Sequence, residues 1–193
     1  QLLLHFENSR LQDAHVLKSM IDHTFKYRQT QLFEFIDTIL NPKLELRLQQ
    51  ACKSTGTEDE LVEFVKTFTA KLNKLIDENY SATPQFSLKN KLLRNYFSML
   101  SEFYDHHVVE RALVFLQEVK KVVKKNFVLD YFYNTREIIE ETRALGGGIV
   151  IPHPEQFWPV LMADYDVDGF EVWNPQSREF TEFLIQVTMK KNK

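Results

Sequence analysis

One histidine, His153, stands between Pro152 and Pro154 at the end of a short apolar run, Gly147-Gly148-Ile149-Val150-Ile151. The two prolines restrict the backbone around it and so fix where the imidazole points. A neutral imidazole held rigidly at a strand end is a good ligand for a divalent metal. The plainer alternative is a histidine that closes a loop through one hydrogen bond, and spacing alone favours that alternative. A second run, Gly169-Phe170-Glu171-Val172-Trp173, ends at Asn174. Were the two runs neighbouring parallel strands, His153 and Asn174 would share the carboxyl end of a sheet, where ligand sites gather.

The other chemistry-bearing side chains make weaker constellations. His106 and His107 are adjacent on a predicted helix, where successive side chains diverge by about 100° and cannot act as a two-toothed ligand. His15 and His23 are two turns apart, without a third ligand at matching spacing. Asp164, Asp166 and Asp168 alternate as in a calcium loop, but the Gly and terminal Glu of an EF-hand are missing. A turn with solvated charges is the better reading. Trp158 and Trp173 flank the two strand ends and suit either a pocket wall or the core. The lone cysteine, Cys52, excludes an internal disulfide and a cysteine-based zinc knuckle. It reads as an inert, half-buried thiol rather than a nucleophile.

The elements that carry these residues fall into two compositional regions. Before Gly146 only Gly56, Pro42 and Pro84 punctuate the chain, and apolar residues recur three and four apart, which predicts helices. Residues 12–40 form the first helix, 44–51 a short one ended near Gly56, 87–101 one capped by Ser87, and 105–125 the last. Between them, Thr57 and Glu60 have capping-box spacing. Leu61, Phe64, Val65, Phe68, Leu72, Leu75 and Ile76 then share one face. The run Lys120, Lys121, Lys124, Lys125 reads as a solvated helical face.

Beyond this point the pattern changes. Val128 to Tyr133 suits a strand or an extended link. Asn134 caps a helix with Glu137 three residues on, and Gly146 suits its left-handed end. The Gly147–Ile151 strand, a helix from Pro154 to about Tyr165 and the Gly169–Trp173 strand then complete one parallel βαβ unit.

At 193 residues the chain fits one domain, or one with a small appendage, and 44% hydrophobic with 26% charged residues is an ordinary globular composition. A net charge of -3 argues against a general nucleic-acid binder. There is no apolar stretch of membrane-spanning length and no signal peptide, so a cytoplasmic protein without membrane contact is expected. A chain that opens on Gln1 also reads as a cut piece.

The stretch NTREIIEETRALGGGIVIPHPEQFWPVLMADYDVDGFEVWNP resembles the PHP family, named for its occurrence in DNA polymerases and histidinol phosphatases. That family shows a helix, a Gly-Gly strand ending in His-Pro, a second helix and an Asp-Gly-x-Glu-Val strand, and residues 145–155 and 168–174 match in order and spacing. The resemblance implies a distorted (β/α)7 barrel that holds divalent metals (zinc, manganese or iron) and hydrolyses phosphate esters, in a nucleotide or nucleic acid for example. It assigns His153 the role of metal ligand. The first 40 residues are similar to the family more distantly, as a strand and a long helix leading into a helical insertion, with Gln1 where the family has a histidine and His5 out of register. The opening His-x-His, the following His and acidic ligand, and the closing Asp-x-His are absent.

The expected molecule is thus mostly α with a small α/β part. Residues 1–127 form a helical insertion or cap, and 128–193 the βαβ portion of a PHP-like domain. The expected function is that of a metal-dependent phosphoesterase fragment, inactive as an isolated piece and with no tightly bound metal. The rival reading is a non-catalytic helical interaction module with a degenerate PHP-like end.

Overall fold

The structure, a computed structural model, describes residues 2–127, 132–173, 175 and 178–191. It divides into two compact units, one of residues 22–132 and one combining residues 1–21 with 133–193. The expected division at 127/128 therefore needs a correction at the amino end. Leu3–His5 forms a strand, β1, that hydrogen-bonds in the small sheet of the second unit, and this takes the first residues out of the helical part.

The 22–132 unit is helical. Helix α1 (His15–Leu40) runs into it across the division, and α2 (Glu45–Thr55), α3 (Asp59–Glu78), α4 (Asn90–Met99) and α5 (His106–Lys125) follow. Its core gathers the apolar stripes of all five, with Leu32, Phe35, Val65, Leu93, Phe97, Phe115, Leu116 and Val119 buried. Gly56, at φ 62, ends α2 in the left-handed region where a side chain would be strained. The Asp105 carboxylate opens α5 by accepting the N–H groups of His107 and Val108.

Two predicted caps are not used. The left-handed turn at Gly56 folds Thr57 back onto the end of α2, where its hydroxyl meets that of Thr55 at 2.6 Å. Glu58, with extended backbone and no side-chain cap, then precedes α3. The Ser87 hydroxyl donates to the Pro84 carbonyl at 2.6 Å within a 3-10 turn, and α4 starts later, at Asn90. The predicted face of α3 buries Leu61, Val65, Phe68, Leu72 and Ile76, whereas Leu75 stays exposed on its flank.

The second unit contains α6 (Thr135–Ala144), β2 (Gly148–Ile151), α7 (Pro159–Met162), β3 (Gly169–Phe170) and α8 (Thr181–Lys191). The sheet order is β1-β2-β3. As the βαβ reading requires, β2 and β3 are parallel, with Val150 opposite Gly169 and Ile151 opposite Phe170. β1 adds an antiparallel strand on the other edge of β2, with His5 opposite Gly148.

Asn134 and Glu137 form the predicted capping box, and Gly146 takes φ 70 after α6. Gly147 is required by close approach, since a Cβ there would lie 2.4 Å from the Phe6 ring and 2.8 Å from the Thr142 methyl. Ile149 and Ile151 face the core from β2.

The helix expected from Pro154 to Tyr165 is broken into a 3-10 turn (Pro154–Gln156) and the short α7. Pro159 has no N–H to return to the Glu155 carbonyl, and the chain extends at Phe157 between the pieces. β3 stops at Phe170, short of the predicted Trp173. Most of the Val128–Tyr133 segment, Gln1 and Asn174 lie outside the described residues.

Candidate functional site at the end of strand β2

β2 hands the chain to Pro152, His153 and Pro154, and His153 turns it sharply, at φ 49 and ψ 48. Among the described residues it is the one non-glycine with positive φ. Such a backbone costs roughly 1–3 kcal/mol and persists where neighbouring bonds over-determine it. Two bonds do so here. The His153 N–H donates to Glu171 Oε2 at 3.0 Å, and the His153 carbonyl accepts the Gln156 N–H at 3.0 Å.

The parallel register explains why Glu171 is there. Ile151 pairs with Phe170, and the Glu171 N–H continues the ladder to the Ile151 carbonyl at 2.9 Å. The carboxylate of Glu171 thereby reaches the residue two past the end of β2. The same Oε2 atom stands 3.0 Å from His153 Nδ1, off the direction of an aligned hydrogen bond. Glu155 Oε1 is 4.0 Å from Nδ1, with its side chain only 5% exposed. The imidazole itself is 33% exposed. One nitrogen of the ring thus faces carboxylate, which is the environment that orients a metal-ligating histidine through its non-ligating nitrogen.

Among the described residues there is no group of three or more His, Cys, Asp or Glu side chains placed to hold an ion. His5 is not brought to His153: it pairs with Gly148, the first residue of β2, whereas His153 follows the last. His106 and His107 are exposed at the start of α5, with His106 Nδ1 3.6 Å from Glu110. His15 is exposed and His23 half-buried on α1.

The aspartates do more than was legible in sequence. Arg143, in the last turn of α6, donates to both oxygens of Asp168 at 3.0 and 2.8 Å and to both oxygens of Asp166 at 3.0 and 3.1 Å. It also reaches the Gly147 carbonyl at 3.2 Å. Asp168 Oδ2 accepts the N–H of Ile149 at 2.6 Å as well. The Arg143 hydrogen bonds first, and then the Ile149 N–H, hold the Asp168 carboxyl below the usual carboxylate range. Arg143 is in turn pushed up, chiefly by its hydrogen bonds to Asp168 and then Asp166. The arrangement ties α6 and the start of β2 to the segment entering β3. No local spacing signals it, because the partners are 23 and 25 residues apart.

Beside this clamp, a cavity of about 380 Å³ is lined by Arg136, Ile139, Glu140, Arg143, Asp164, Tyr165 and Asp166. A groove of about 660 Å³ on the helical unit is lined in part by Glu34, Asp37, Asn41, Asn73 and Asp77. Neither includes His153. Trp158 packs edge-on against Phe180 and Phe183 at 5.6 and 5.3 Å, and Trp173 is half exposed, so neither indole is a core residue.

Cys52 is half-buried, and burial, with Glu45 second, raises its pKa, which disfavours the thiolate a nucleophile needs. Lys121 pairs with Glu118 at 2.7 Å, while burial, followed by Lys124 and Arg94, lowers the pKa of Lys120. Among the described residues no helix is long and apolar enough to cross a membrane. No known family model, curated protein or solved structure matches the chain.

Proposed function

We propose that the chain is part of a PHP-type metal-dependent phosphoesterase and that His153 contributes one ligand to its metal centre. The observation that carries the reading is the placement of His153. It sits just past the carboxyl end of β2, beside a parallel neighbour, in a strained turn between two prolines, with one ring nitrogen against carboxylate. A bound zinc, manganese or iron would supply Lewis-acid polarisation of a phosphate ester and an activated water. In this reading the remaining ligands come from polypeptide outside these 193 residues, and the helical unit is an insertion. β2 and β3 would be two strands of the distorted (β/α)7 wall. The antiparallel β1 departs from an all-parallel barrel, so the barrel reading rests on β2 and β3.

The test begins with the coding sequence on either side of the chain, where a His-x-His upstream and an Asp-x-His downstream are expected. In the protein so defined, His153→Ala lowers both divalent metal content and phosphatase activity while the far-ultraviolet circular dichroism is unchanged. Full metal occupancy and activity in that variant would dismiss the assignment. Loss of both flanking motifs would favour the helical interaction module instead.

A further inference from the structure

The geometry points to Glu171 as the residue that selects the tautomer of His153, protonating Nδ1 and leaving Nε2 as the ligating nitrogen. This rests on the reading of His153 as a metal ligand only for its purpose; the tautomer itself follows from the contacts. One carboxylate oxygen, Glu171 Oε2, lies 3.0 Å from both the backbone nitrogen and Nδ1 of His153. The backbone bond fixes that oxygen against the ring. A deprotonated Nδ1 would present its lone pair to a carboxylate at contact distance, which is repulsive, whereas an Nδ1–H is attracted even off the ideal hydrogen-bond line. Glu155 Oε1, 4.0 Å from the same atom, adds negative potential on the same side. The left-handed turn of His153 and the prolines on either side hold the backbone from which the ring projects. Among polar side chains of the described residues, this pairing is created by the parallel register: without Ile151 opposite Phe170, Glu171 could not reach past the end of β2. Glu171 is accordingly a positioning residue, acting on a metal or substrate only through His153.

The experiment is long-range nitrogen–proton correlation NMR on the 193-residue chain labelled at histidine, at about pH 9 where imidazoles are neutral. His153, identified from its loss in His153→Ala, is expected as the Nδ1–H tautomer. Glu171→Gln keeps an oxygen to accept the backbone N–H but removes the charge, and should move His153 towards the Nε2–H form, with Glu171→Asp restoring part of the native signature. An Nε2–H tautomer in the native chain, or a native tautomer untouched in Glu171→Gln, would overturn the proposal. If Glu171→Gln fails to fold, Glu171→Asp is compared with Glu155→Gln: a tautomer changed in the first and kept in the second supports Glu171, and the reverse overturns it. The outcomes separate from those of the metal reading: an Nδ1–H tautomer with no effect of His153→Ala on metal content leaves the positioning intact and removes only its use.

Discussion

Arg143 and Asp168 face each other in a two-pronged ion pair, 3.0 and 2.8 Å from Nη1 to the two carboxylate oxygens, and Asp168 simultaneously accepts the N–H of buried Ile149. A single exposed ion pair contributes little. The greater consequence of this one is that it holds the carboxylate where it satisfies the first internal amide of β2.

Removing that acceptor should cost more than the ion pair itself. Asp168→Ala strands the Ile149 N–H and is expected to destabilise the fold by about 1–3 kcal/mol, read from urea denaturation. Arg143→Ala, which leaves the acceptor in place, should cost less. Equal losses in the two variants would show that the ion pair, not the amide, is what matters.

The same contact gives an acid dependence. Asp168 titrates lower in the folded than in the unfolded chain, so the unfolded state binds the proton more readily. Its contribution is complete above the unfolded pKa of about 3.9 and is lost as pH falls through the lower folded value. Stability measured between neutral and strongly acidic pH should therefore fall less steeply in Asp168→Asn than in the native chain. Arg143, whose pKa is raised above an already high value, adds no dependence in that window. Superimposable acid profiles would refute the assignment.

Gly147→Ala tests the close approach of β1 to the turn before β2. The added methyl meets the Phe6 ring and the buried Thr142, so Phe6 must shift, at an expected cost of about 1–3 kcal/mol. An accompanying Phe6→Ala should recover part of the loss by opening that space. A melting temperature unaltered by Gly147→Ala would mean that the loop yields freely.

In the helical unit, Phe68 is buried against Phe64 at 4.7 Å and Tyr104 at 5.1 Å between ring centres. Phe68→Ala should cost about 3–5 kcal/mol through lost burial and the cavity left behind. That is a large part of the roughly 5–15 kcal/mol typical of a domain. An unchanged melting curve would place Phe68 outside the core.

Cys52 should react with iodoacetamide more slowly than a small free thiol near neutral pH, because burial and then Glu45 disfavour its thiolate. Unfolding in urea should restore the ordinary rate. Rapid labelling of the native chain would contradict both its burial and its inertness.

What the sequence determined by itself is local. The helical character of residues 57–125, the capping box at Asn134 and Glu137, and the left-handed glycines at 56 and 146 follow from interactions within a few residues, where periodicity and backbone sterics act directly. Even there, Thr57 and Ser87 show the limit, since each hydroxyl found a nearer partner than the helix it was expected to cap. Tertiary structure decided the rest. The pairing of Leu3–His5 with β2 spans most of the chain and leaves no trace in local pattern. Likewise, the aspartates that look like a solvated turn converge on Arg143 only after β2 and β3 align. His153 was visible from its prolines, but its partner Glu171 was not: which side chain reaches a strand end depends on register, and register is set by how two strands meet across the sheet.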